Sequence, residues 1–303
     1  MPNPTPLFQH PDWRAIAARL APAVIADRRS EWLNEVTAWA GSVAASLNQQ
    51  FPVGITPYRL DQSPHLIVVS VVAAQRENRL PGFGEMVLAS AREFLGPSAA
   101  TPEWPTAAFF IHGPQAFNAY LNDTVRNVRL MPGGAFISGS ARLPHIALLA
   151  NPDWMNQRLY FAHELIHSLL YEHDLPVWLD EGLSCHLELA ALRRHNVEFT
   201  SVLDVKRNQY WQQRNLEDFW SGRWRGGEGA GAGYALSVRL LRRLLKEDKN
   251  QRQPARLREF IKLARSKDSG EAASKKVYER PLVSFMSELL GPGSWIGSTA
   301  DKQ

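Results

Sequence analysis

Apolar residues recur at helical spacing from Trp13 to Leu47, through Ile16, Leu20, Val24, Trp32, Val36 and Trp39. They predict a helical start to the chain, with a break at Pro22. Phe51-Pro52-Val53-Gly54 ends that pattern. The short β-branched run over 65–72 then predicts a buried strand, followed by a helix over 83–95. A second strand is expected over 107–112, a short helix over 114–121, and two more strands around 135–138 and 145–149. Asn151-Pro152-Asp153 opens a long helical pattern to about residue 172, Leu175-Pro176 turns the chain, and helix resumes over 177–194. Residues 205–233 are irregular: Trp211, Trp220 and Trp224 precede a loop of glycine and alanine from Gly226 to Gly233. A strongly amphipathic helix is expected over 234–246, with more helices over 255–265 and 273–290. Strands in the first half and helices in the second predict an α+β fold rather than repeated βαβ units. The expected parts are an N-terminal helical region over 1–55, a sheet-rich part over 56–172 and a helical part over 173–303.

Composition mostly excludes. A chain of 303 residues with 45% hydrophobic and 21% charged residues is globular, not disordered, collagen-like or coiled-coil. Its one cysteine, Cys185, rules out an intramolecular disulfide and any multi-cysteine metal site. No apolar run approaches the roughly 18 residues of a membrane span, so no membrane partner is expected. The net charge of +4 is concentrated between Lys246 and Arg280, where eleven basic residues face six acidic ones. A solvated helical face is the expected reading of that surplus, and nucleic acid is not an expected partner. Residues 15–26 are moderately apolar but interrupted by Arg19 and Pro22. With Met1 as the native start, the expected compartment is the cytoplasm; a trimmed signal would imply secretion.

The chemistry concentrates in His163-Glu164-Leu165-Ile166-His167. On a helix, positions four apart share a face, so both imidazoles can reach one ion, with Glu164 beside them to take a proton from water. Leu165, Ile166, Leu169 and Leu170 supply the apolar stripe, so the helix does not need the histidines for packing. The turn at Asp174-Leu175-Pro176 predicts an antiparallel helix pair. At about 1.5 Å of rise per residue, His167 lies about 9 Å before the turn and Glu181 about 6 Å after it. Similar heights on facing helices make Glu181 the expected third ligand. Gly182 follows within a helix, where glycine costs about 1 kcal/mol, and a close approach of the paired helices would explain it. Two histidines and one carboxylate leave a fourth position for water, the pattern of a catalytic zinc site with one Zn2+ per chain. Glu188, two turns after Glu181, either orients a histidine or is simply solvated. Cys185 is expected to be an inert thiol, and His173 and His186 surface or packing residues. The three tryptophans either line a cleft or anchor a loop. No Walker loop, dinucleotide fingerprint or Gly-x-Ser-x-Gly elbow occurs.

His163-Glu164-Leu165-Ile166-His167, followed by Leu175-Pro176-Val177-Trp178-Leu179-Asp180-Glu181-Gly182-Leu183, resembles the gluzincin metallopeptidases. The likeness is closest to the small peptidase-MA-like branch related to the catalytic domain of aminopeptidase N. The glutamate comes sooner after the second histidine here, but the Pro-x-Trp-Leu-x-Glu-Gly surround is kept. A weaker likeness runs from the strand at His65 to the helix at Phe285, and residues 1 to about 55 lie outside it. The resemblance implies a zincin-like fold, with a small mixed sheet packed on the metal-binding helix and a helical C-terminal subdomain. It implies hydrolysis of a peptide or protein substrate, with Glu164 as general base. Tyr234 falls where the family keeps a tyrosine for the oxyanion, at the expected helix start. The strand over 145–149 would lie at the cleft edge and pair with substrate. Related aminopeptidases fix the substrate amine with a glutamate in a Gly-x-Met-Glu-Asn strand. The comparable Gly133-Gly134-Ala135-Phe136-Ile137-Ser138 has no acid, which implies an endopeptidase unless another acid such as Glu228 replaces it. Two rival readings are a zinc hydrolase of a non-peptide substrate and a binding module whose basic C-terminal region docks nucleic acid or acidic protein. Retention of every catalytic residue type argues against the second.

Overall fold

The computed structural model describes residues 7–8, 10–21, 25–71, 79–99, 104–124, 133–139, 142–192, 209–211, 216–226, 229–293 and 295. The chain divides into two compact units, Met1–Leu88 with Thr101–Ser168, and Ala89–Ala100 with Leu169–Gln303. The N-terminal helices share a unit with the sheet. The mixture of helices with one mixed sheet makes the fold α+β.

In the first unit, Asp12 starts helix α1 (Trp13–Leu20) by accepting hydrogen bonds from the Arg14 and Ala15 amides. Helix α2 (Ile25–Gln50) follows, while Pro22 and Val24 lie outside the described residues. Five strands, β1 (Tyr58–Gln62), β2 (Leu66–Val71), β3 (Thr106–Ile111), β4 (Gly134–Gly139) and β5 (Arg142–Leu149), form one sheet in the order β1-β2-β3-β5-β4. The central three run parallel and the two outer strands antiparallel. Helix α3 (Leu80–Leu95) connects β2 to β3, and α4 (Pro114–Thr124) lies between β3 and β4. Strand β1 was not among those predicted. As an outer strand it buries only Tyr58 fully, so its sequence carries no apolar run. Helix α3 starts at Leu80, ahead of the expected start, because Pro81 is tolerated in a first helical turn.

Strand β5 is correspondingly not an outer strand. The chain folds β4 back against it, so β5 pairs with β3 on one side and β4 on the other. On that side β4 is the outer strand among the described residues. His145, on β5, is fully buried and sits among the rings of Trp39, Phe109 and Tyr120. One sheet face, with Ile67, Val69, Phe109 and Ala147, packs with Trp13, Trp32, Val36 and Trp39 of the N-terminal helices and Phe117 and Tyr120 of α4. On the other face lie α3 and α5 (Trp154–Leu170). Phe161 of α5 meets Phe110 of β3 and Phe83 of α3, with ring centroids 5.0 and 6.3 Å apart.

The second unit is helical: α6 (Val177–Ala191), α7 (Glu217–Ser221), α8 (Ala230–Leu245), α9 (Ala255–Leu263), α10 (Glu271–Tyr278) and α11 (Leu282–Leu290). The helix expected over 273–290 is two helices. Glu279 takes a left-handed conformation (φ +57°), and Pro281 then serves as the N-cap of α11. The surplus arginines here are engaged with the chain itself. Arg258 donates to the Phe94 and Glu93 carbonyls, Arg256 to Val277, and Arg243 and Arg280 pair with Glu247 and Glu288. Among the described residues, no helix is long and apolar enough to cross a membrane.

Candidate metal centre

Asp153 opens α5 by accepting from the Met155 amide at 2.9 Å, which fixes where the helix begins and which residues share a face. Phe161 and Leu165 are fully buried. His163 and His167 come together on α5, with Nε2 atoms 3.1 Å apart and ring centroids 4.7 Å apart. Two nitrogens on one tetrahedral zinc, each about 2.0–2.1 Å from the metal, would lie about 3.3–3.4 Å apart. The imidazole pair is within a few tenths of an ångström of that spacing. Glu164 is only 8% exposed, and its carboxylate lies against β4. A Cβ on Gly134 would sit 3.6 Å from Glu164 Oε1, in ordinary contact, and 2.4 Å from a Leu148 methyl, so a side chain there would displace the end of Leu148.

In the second unit, Glu181 is 1% exposed on α6. Its Oε1 pairs with Arg225 Nη2 at 2.6 Å. Burial opposes the Arg225 charge, but Glu181, with Asp180 and Tyr234, outweighs it and holds the guanidinium above its ordinary range. Arg225 was not foreseen. It lies in the irregular tryptophan-rich stretch, in a short 3-10 turn (Arg223–Gly226), and no spacing rule ties it to Glu181. Gly182 marks a close helix approach, but the partner is α8, not the preceding helix. A Cβ there would lie 2.9 Å from the Ser237 carbonyl oxygen. Helix propensity alone would make Gly182→Ala stabilising by about 1 kcal/mol. Collision with a backbone carbonyl reverses that sign, so the substitution is expected to lower the melting temperature. A higher melting temperature for Gly182→Ala would refute the close contact.

Helix α8 begins at Ala230, a turn earlier than expected, so Tyr234 stands inside the helix rather than at its start. The glycines are accommodated because the Trp224 ring fills the space beside Gly233, where a Cβ would lie 2.1 Å from it. Tyr234 sits edge-on to the same ring, with centroids 4.9 Å apart. Trp211, Trp220 and Trp224 are all buried. Trp211 donates to the Ala232 carbonyl and Trp224 to the Phe219 carbonyl, so these side chains anchor the segment. Glu228 lies outside the described residues. His173 pairs with the Ser98 carbonyl at 2.8 Å. His186 packs on Phe94, and burial, helped by Arg242, lowers its pKa to about 4. Both are packing residues.

Two sets of side chains among the described residues have donor atoms within 4.8 Å of one another and could hold a metal ion. One is His163, His167 and Glu181, the set expected from the sequence. The other is His163, Cys185 and Glu188, in which Glu188 is buried and Cys185 half-buried. The first has the nitrogen and oxygen donors of a catalytic zinc site, and the histidine spacing fits that ion. The chain matches no family model, no curated protein and no solved structure.

Proposed function

We propose that this chain is a zinc-dependent peptidase of gluzincin type, with a zincin-like fold, that cleaves within peptide chains. The observation that carries the reading is the pairing of His163 and His167 at metal-sharing distance, with Glu164 between them and Glu181 in the same donor set. His163, His167 and Glu181 would hold the ion. Bound there, zinc supplies Lewis-acid polarisation of the scissile carbonyl and lowers the pKa of its water to about 7. Glu164 accepts a proton as the water oxygen bonds to the carbonyl carbon, then returns it to the amine nitrogen as the C–N bond breaks. Tyr234 donates its hydroxyl proton in a hydrogen bond to the developing oxyanion.

Substrate binding follows from β4. Among the described residues it is the last strand on its side of the sheet, and at Gly134 it lies beside Glu164. A peptide added beside β4 by main-chain hydrogen bonds would run past the general base. The stretch from Gly133 to Ser138 offers that peptide no carboxylate. A protonated N-terminus placed there would lose its solvation without gaining an ionic partner, a penalty of several kcal/mol. An internal segment carries no such charge. One peptide presented with a free and with an acetylated N-terminus tests this: both forms should be cut at the same internal bond with comparable kcat/KM. Strict dependence on the free amine, with residues released singly, would overturn the endopeptidase reading.

A further inference from the structure

A buried carboxylate that binds a metal through one oxygen leaves its second oxygen to be satisfied, and Arg225 contacts one oxygen of Glu181 directly. The elements that bring it there are specific. Gly222, in the left-handed conformation (φ +74°), ends α7 and turns the chain into the 3-10 turn. A Cβ at Gly222 would collide with Val177, the first residue of α6, at 2.6 Å, so the turn is pressed onto the helix that carries Glu181. Trp224 then fastens the turn to α8 through its packing over Gly233 and against Tyr234. With both flanking contacts made, Arg225 Nη2 reaches Glu181 Oε1 at 2.6 Å, while its own side chain remains 39% exposed. The carboxylate it meets is 1% exposed.

We propose that Arg225 is a positioning residue for Glu181, holding Oε1 so that the other carboxylate oxygen is presented as a single metal ligand. The proposal rests on the zinc reading and adds to it the group that fixes the ligand's coordination mode. Partners that hydrogen-bond a ligating carboxylate orient it, and their loss typically weakens metal binding about 10- to 100-fold. Arginine suits the task because its planar fork keeps direction as well as charge, whereas lysine supplies only a mobile point charge.

The test uses the full-length chain as wild type, Arg225→Gln and Arg225→Lys, titrated with Zn2+ against a chelating dye and separately loaded with Co2+. Wild type should bind one ion per chain, with the strong visible absorption of four-coordinate cobalt. Arg225→Gln should bind zinc about 10- to 100-fold more weakly. Its cobalt spectrum should lose intensity as the released carboxylate closes on the ion with both oxygens. Arg225→Lys should fall between the two. A spectrum and zinc affinity unchanged in Arg225→Gln, with wild type metal-loaded, would overturn the positioning role and leave the zinc reading intact. Failure of wild type to bind either ion would overturn both. A merely structural role would lower the melting temperature of the metal-free variants without changing the cobalt spectrum, and that outcome also counts against the proposal.

Discussion

Glu164→Gln is expected to abolish turnover while leaving zinc content and melting temperature unchanged. The amide keeps the shape of the carboxylate in a position that is 8% exposed and pressed against β4, so nothing in the packing has to move. It cannot take up the proton that the attacking water must lose. Positioned acid–base groups contribute about 100- to 10,000-fold, and in the proposed mechanism one group serves both the attack and the departure of the amine. Tyr234→Phe should be milder, at about 100- to 1,000-fold for loss of one oxyanion donor, again with zinc retained. Single-turnover rates on a peptide found by cleavage profiling, beside elemental analysis, check both variants. Wild-type turnover by Glu164→Gln would remove Glu164 from the chemistry.

Loss of a ligand should give the opposite pattern, in which metal goes first and activity follows. Wild type should carry about one zinc per chain. His163→Ala and Glu181→Ala should each lose most of it. A ligand that binds only the folded chain stabilises it by mass action, by about 4 kcal/mol at a thousandfold excess over the dissociation constant. Chelation should therefore lower the melting temperature of wild type and leave that of either variant nearly unmoved. Glu181→Ala with undiminished zinc would dismiss Glu181 from the site, and the same result for His163→Ala would dismiss the helix pair.

What was legible in the sequence was legible because it is local. His163 and His167 are one turn apart on a single helix, and the helical pattern from Asp153 onward was enough to put them on one face. Glu181 required only one tight turn more. The failures are long-range. Gly182 announced a close contact, but sequence spacing could not say that the partner was Ser237 on α8 rather than the preceding helix. The 145–149 run was recognised as a strand, whereas its interior place in the sheet depends on how β4 folds back over it. Tyr58 to Gln62 went unread because a strand covered on one side has no need of a continuous apolar run. Arg225 was invisible for the same reason, since its partner lies on a different helix and no periodicity connects them.

The indole N–H of Trp178 donates to the carbonyl of Ser269 at 2.9 Å, and the ring is fully buried, in contact with Trp220 and Phe260. Trp178 stands one helical turn ahead of Glu181 on α6. The helix that carries Glu181 is therefore seated by residues translated long after it. A ribosome that has released only the HExxH helix and α6 has produced the motif but not the support that α6 rests on. During synthesis His163, Glu164 and His167 are consequently present well before the helix that carries Glu181 is held. A chain cut short of Ser269 would strand the Trp178 donor in an apolar interior, and should read as a peptidase by motif while failing to keep its metal.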